Sequence, residues 1–190
     1  MKYVATLLFT ILLTTCAPAQ TLSLPEVENA RLEHQRKAML VLGGWAVGNI
    51  GLGMALRSRT EGSTRRFHEM NAIWNVVNLS IAGLSYFTLG EAAGTAIDGL
   101  QENGSFQKIL LFNAGLDVGY VLGGLYLMER SRRPDADANR LKGHGRSIIL
   151  QGGFLFLFDV ANYLIAQRHD ADYRLLLGGG GDGLGLLLTF

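Results

Sequence analysis

Polar residues interrupt four apolar segments at helical spacing, and that pattern predicts the architecture. The segments cover residues 37–56, 67–90, 109–128 and 147–166. Each approaches or exceeds the roughly 20 residues that a helix needs to cross the hydrocarbon of a bilayer. In the second segment His68, Asn71, Asn75, Asn78, Ala82 and Ser85 follow steps of three and four, which is one stripe of a helix. Asn113, Asp117 and Tyr120 share a face of the third. Ser147, Gln151, Leu155, Asp159 and Asn162 share a face of the fourth, and Trp45 and Asn49 a face of the first. Polar groups at membrane depth are costly against lipid, so four such helices pack with their stripes inward. The expected fold is all-α: a four-helix transmembrane bundle with a polar Asn/Asp core. A transmembrane barrel would alternate apolar and polar residues over about ten positions per strand, and these segments do not.

The flanks predict the remaining organisation. Residues 1–19 read as a secretory signal peptide, with Lys2 as the positive start, an apolar run over 4–13 and Ala17-Pro18-Ala19 as the cleavage site. The chain's single cysteine, Cys16, precedes that site. The remaining domain, 20–190, is then without disulfides, thiolate zinc sites or cysteine nucleophiles. Leu13-Thr14-Thr15-Cys16 also loosely resembles a lipobox, which would instead make Cys16 a lipid anchor. Ser23-Leu24-Pro25-Glu26 is a capping-box pattern with an early proline, so a helix starts there and leads into the first span. In the tail, 167–190, residues 175–177 and 184–188 flank a glycine run. They form either a hairpin or a linker followed by an apolar end.

Charge sets the orientation. Arg57, Arg59, Arg65 and Arg66 crowd the first connection, and Arg130, Arg132, Arg133, Arg140, Lys142 and Arg146 the third. The second has Lys108 against Glu91, Asp98 and Glu102. Basic residues gather on the cytoplasmic side, which places both termini outside a bacterial inner (cytoplasmic) membrane as a multi-pass protein. A cleaved signal gives the same answer. Hydrophobic residues make up 48% of the chain and charged ones 17%, with no Lys or Arg in the interior of any segment. A soluble bundle would show a wide charged face. The net charge of +1 and the lack of a basic helix with interleaved aromatics argue against a nucleic-acid partner.

Candidate chemistry follows from depth. Counted at about 1.5 Å per residue, Asn78, Asp117 and Asp159 fall near the midplane. Asn49, Asn71, Asn75 and Gln151 fall toward the cytoplasm, and Asn113 and Asn162 toward the outside. Two carboxylates at one depth with no basic partner repel in a dry core, so they require a proton, a bound cation or water. Their oxygens with amide oxygens suit Mg²⁺ or Ca²⁺ and not zinc; no other cofactor is expected. His34 and His169 belong to the outer side and His68 and His144 to the inner, all at span ends or in connections, which makes a poor haem pair. There is no nucleophile–base pair, metal-ligand spacing or phosphate loop to mark an enzyme. Two readings remain. One is binding or translocation of a proton, cation or small polar solute in the Asn/Asp core. The other is a structural or assembly subunit, as a homodimer or beside another membrane protein. Gly44 and Gly48, with Gly115, Gly119 and Gly123, are expected to serve close helix packing.

Residues 68–78 (His68-Glu69-Met70-Asn71 through Asn78), Asn113-Ala114-Gly115-Leu116-Asp117-Val118-Gly119-Tyr120, and Gln151-Gly152-Gly153 through Asp159 resemble a domain-of-unknown-function family of small four-span proteins of Bacteroidetes-type bacteria. The resemblance implies the same layout over nearly the whole mature chain, and no catalytic role.

Overall fold

A computed structural model describes residues 22–178. The expected signal peptide, Cys16 and the glycine-rich end of the tail lie outside the described residues. The described residues are all-α, with four helices: α1 (Leu24–Arg57), α2 (Gly62–Phe87), α3 (Ala96–Arg130) and α4 (Ala138–Gly178). α1, α3 and α4 are long and apolar enough to cross a membrane. α2 lacks an equally long apolar stretch because Asn71, Asn75 and Asn78 interrupt it, and all three are buried.

Local chemistry explains the helix ends. Ser23 caps α1, its amide donating to the Glu26 carboxylate at 3.1 Å, and Pro25 occupies the first turn. Thr95 caps α3, its hydroxyl accepting from the Asp98 amide at 3.2 Å. Both caps satisfy backbone donors that a helix start leaves open. The connection between α1 and α2 is short, and the chain re-enters a helix through Gly62 at φ 55°, a conformation that favours glycine. Between α3 and α4, Arg130 holds Asp135 through two hydrogen bonds of 3.1 and 2.9 Å.

The helices outrun the apolar segments at the end of the bundle where the described residues begin and end. α3 begins at Ala96, so most of the connection expected over 91–108 is helical. α4 continues to Gly178, so residues 175–177 are helix and not the first strand of a hairpin. The physical reason is that the buried stripes do not stop at the apolar segments. Gly99, Asn103 and Gln107 extend the buried face of α3 backward, and Ala166, His169 and Tyr173 extend that of α4 forward.

α4 is the hub, packing against all three other helices, while α1 packs mainly on α2. No Cα of α2 lies within 8 Å of one in α3. Glycines set the close crossings. A Cβ on Gly145 of α4 would lie 2.6 Å from the Gly124 carbonyl oxygen of α3, and one on Gly53 of α1 would lie 2.8 Å from the His68 carbonyl oxygen of α2. The expected packing glycines are different ones: a Cβ on Gly44, Gly48, Gly115, Gly119 or Gly123 would meet nothing within 4 Å. Spacing alone does not tell which side of a helix a glycine stripe faces, and this stripe faces outward.

The distribution of polarity is inverted. Among the described residues the buried set holds fourteen polar or charged residues against ten hydrophobic ones, whereas Leu40, Leu52, Ile73, Leu84, Phe112 and Leu157 are among many large apolar side chains left exposed. Water-soluble domains bury their apolar residues and rarely bury charged ones. The arrangement is the one expected of a chain solvated by lipid.

Candidate functional site

Of the nine polar residues singled out from the sequence, Asn71, Asn75, Asn78, Asp117, Gln151, Asp159 and Asn162 are buried, and Asn49 and Asn113 half-buried. The structure sorts them by what remains free to act. Asn49, Asn75 and Asn162 use one device: each side-chain amide donates to the carbonyl four residues back, on Trp45 (2.8 Å), Asn71 (2.8 Å) and Phe158 (2.7 Å). This local bond leaves the amide oxygen facing inward as an acceptor.

Four residues close a ring through three helices. The Trp45 indole N–H of α1 donates to Gln151 Oε1 of α4 at 2.9 Å. Gln151 Nε2 donates to Asn71 Oδ1 of α2. Asn71 Nδ2 donates to Asn49 Oδ1 of α1 at 2.6 Å, and Asn49 returns to the Trp45 carbonyl. Trp45 also stacks flat on Phe154, with ring centroids 3.8 Å apart. Each polar group satisfies another, so the ring fixes register and offers little to a ligand. Asn75 joins this group, accepting from Asn78 Nδ2 at 3.3 Å.

Asp117 of α3 and Asp159 of α4 differ. Their carboxyls adjoin each other, and Asp117 Oδ2 is buried with no hydrogen-bond partner among the described residues. Both line a cleft of about 830 Å³, together with Asn78 and Asn113. Neither amide forms a hydrogen bond to either carboxyl among those present, so the four share a space without forming a closed network. The cleft lies between α2 and α3, whose backbones stand apart. Trp74 and Tyr120 bridge it edge to face at 4.8 Å between centroids. Two carboxyls in contact need a proton, a cation or solvent between them. Among the described residues no three His, Cys, Asp or Glu side chains gather as a metal cluster.

At the terminal end lie groups that the sequence pattern had left in the flanks. His34 Nε2 donates to Asn162 Oδ1 at 2.9 Å, and the His34 and His169 rings face each other with centroids 5.4 Å apart. Burial holds both imidazoles below their usual protonation range, and for His34 the neighbouring His169 adds to the effect. Asn103 Nδ2 donates to the Ala166 carbonyl and to Asp170, each at 2.7 Å. Farther out, Tyr173 sits between Glu28 and Arg31. Its hydroxyl donates to Glu28 and accepts from Arg31 Nε at 3.0 Å. Arg31 pairs with Glu28 at 2.7 Å and Glu102 at 2.8 Å, and Glu28 also accepts the Ala93 amide at 2.9 Å. Burial would raise the Glu28 carboxyl, but hydrogen bonds from Arg31, Tyr173 and Ala93 together bring it below its usual value. A Cβ on Gly99 would collide with Glu28 and Tyr173, so glycine makes room for the cluster. The signal for these residues was present. Glu28 and Arg31 stand three apart, and His169 and Tyr173 continue the stripe of Asp159 and Asn162 at steps of three and four.

A family model matches residues 41–160, that of a family of unknown function, DUF6992. No curated protein and no solved structure matches the chain. The matched region contains the ring and the carboxyl pair. Asn162, the two facing histidines and the Glu28–Arg31–Tyr173 cluster fall outside it.

Proposed function

We propose, from the premise that the chain belongs to the DUF6992 family of unknown function, that it is a four-span protein of a bacterial inner membrane. In this reading both termini lie outside, and the core binds a proton, a cation or a small polar solute at Asp117 and Asp159. The observation that carries the reading is the contrast between the two halves of the polar core. The Trp45–Gln151–Asn71–Asn49 ring is closed on itself, whereas the carboxyl pair meets at a cleft of about 830 Å³ with one oxygen unpartnered. A core built only for packing would need the ring and not the pair. Polar contacts within membranes average about 0.6 kcal/mol, a small return for burying two acids.

The test is the double variant Asp117→Asn/Asp159→Asn, which keeps shape and hydrogen-bonding capacity but removes both charges. His34 and His169 are replaced by Gln in both proteins, so that their own titration is removed. The chain with native aspartates should then shift its melting temperature between pH 5 and pH 8 or on addition of Mg²⁺ or Ca²⁺, and the Asp117→Asn/Asp159→Asn chain should lose that shift. One pH unit of differential proton affinity between folded and unfolded chain is worth about 1.4 kcal/mol. A wild type indifferent to both pH and cations removes the reading. One observation favours a second: the outward stripe of Gly115, Gly119 and Gly123 suits the helix of a second copy or another membrane protein. In that case the chain is an assembly subunit, and in-membrane cross-links through this stripe would report it.

A further inference from the structure

We propose that the cleft between α2 and α3 takes a lipophilic organic cation from the plane of the membrane, its charged centre on Asp117 and Asp159 and its apolar body along the walls. This rests on the reading of the carboxyl pair and names the ligand class. The first observation is geometry. The backbones of α2 and α3 stand apart along the cleft, and Val77, Ile81 and Ile109, all exposed, line it from the two sides. The opening is thus flanked by the same apolar surface that faces lipid. Trp74 against Tyr120 narrows one end. The volume of about 830 Å³ lies within the roughly 300–1,000 Å³ typical of ligand sites.

The second observation is charge. The ionisable groups lining the cleft are Asp117 and Asp159, with Tyr120 beside them, and Asp98, Glu102 and Arg31 toward the terminal end. Arg31 is already held by Glu28 at 2.7 Å and Glu102 at 2.8 Å. Among the described residues no basic group is left for a phosphate or carboxylate head, so an anionic lipid finds no partner in this lining. The third observation is Asp117 Oδ2, without a hydrogen-bond partner among the described residues, on a residue only 2% exposed that lines the cleft. It is an acceptor without a donor. A bare divalent ion would need six or more oxygens, whereas an organic cation needs a counter-charge and walls. Trp74, Phe106, Tyr120 and Phe158 supply the aromatic faces that attract such cations.

Tetraphenylphosphonium is the probe, with the isosteric anion tetraphenylborate as control, measured by equilibrium dialysis on the full chain in uncharged detergent. Saturable binding of about one phosphonium per chain is expected, with no comparable borate binding. Asp117→Asn/Asp159→Asn should weaken the phosphonium at least tenfold. Ile81→Trp/Ile109→Trp, which fills the cleft from two exposed positions and leaves the carboxyls in place, should weaken it as well. Equal binding of both ions, or binding unchanged by either double variant, overturns the proposal. So does the absence of phosphonium binding. If that absence accompanies a wild-type melting temperature that still responds to pH or cations through the two aspartates, the ligand class is wrong and the carboxyl-pair reading stands. Without that response, both fall. Intermolecular cross-links between Ile81→Cys and Ile109→Cys chains without phosphonium binding would assign the cleft to a second copy and likewise overturn the proposal.

Discussion

Replacing Tyr173 by Phe removes one oxygen atom from the best-satisfied polar cluster of the bundle. In the native chain that hydroxyl accepts from Arg31 Nε at 3.0 Å and donates to Glu28. The side chains of Arg31 and Glu28 are only 3% and 1% exposed, so water does not replace the lost partner. The variant strands one guanidinium N–H and one carboxylate oxygen. Each buried polar atom left unsatisfied costs about 1–3 kcal/mol, with more for charged groups. Arg31 and Glu28 keep their mutual ion pair, and Glu28 keeps the Ala93 amide, so the loss should be roughly 3 kcal/mol. In a chain of 150–250 residues each kcal/mol shifts the melting temperature by about 2–4 °C, which puts the expected drop near 6–12 °C. Thermal unfolding of the detergent-solubilised protein, followed by helical circular dichroism, measures it. The converse arm is Glu28→Leu/Arg31→Met/Tyr173→Phe, which removes the charges and their partners together. Apolar replacement of a whole buried ion cluster is often neutral or stabilising, so this triple variant should be more stable than Tyr173→Phe alone. A Tyr173→Phe protein melting within a degree of wild type would show that the cluster is solvated and refute the reasoning.

Three further outcomes are expected. Because His34 and His169 are held below their usual protonation range, folding favours their neutral forms. Stability should be full above the ordinary histidine value of 6.5 and fall as pH drops toward the lower folded values; His34→Gln/His169→Gln should remove that acid-side slope in a melting-temperature series. Gly145→Ala, whose Cβ would press on the Gly124 carbonyl at 2.6 Å, should destabilise by about 1–3 kcal/mol through overpacking, whereas Gly119→Ala, open to space, should be neutral or stabilising by up to roughly 1 kcal/mol from helix propensity; equal melting temperatures for the two would contradict the crossing geometry. A reporter fused within 131–137 should behave as cytoplasmic and one after Phe190 as external, and a cytoplasmic C-terminus would end the proposed orientation.

The helices and their inward faces were legible because burial at helical spacing is written directly into residue order. Asn71, Asn75 and Asn78 are buried as their spacing requires, and Asp117 and Asp159, from two helices, line one cleft. What pattern does not encode is partnership. Gln151 and Asp159 share one stripe, yet Gln151 is consumed by Trp45 and Asn71 while Asp159 turns to a cleft. That division depends on which helices touch, and the separation of α2 from α3 has no signature in either segment. The helical extensions were missed for a different reason. Apolarity ends near residues 109 and 166, but Asn103, Gln107, His169 and Tyr173 continue the buried face with polar side chains, and a search for apolar spans stops where these begin.

The hub position of α4 also has a consequence for synthesis. Translation delivers α1 and α2 first, and they have each other to pack against. α3 comes next, with almost nothing to bind: it barely touches α1, its backbone stays clear of α2, and its main partner is not yet made. Until α4 emerges, α3 must hold Asn103, Gln107 and Asp117 without the helix that later covers them. On the membrane reading proposed above, the nascent protein therefore passes through a three-helix stage with an acid waiting in or beside the bilayer. Chains truncated before Ala138 would remain there, presenting the kind of unpaired polar membrane helix that insertion and quality-control machinery detains.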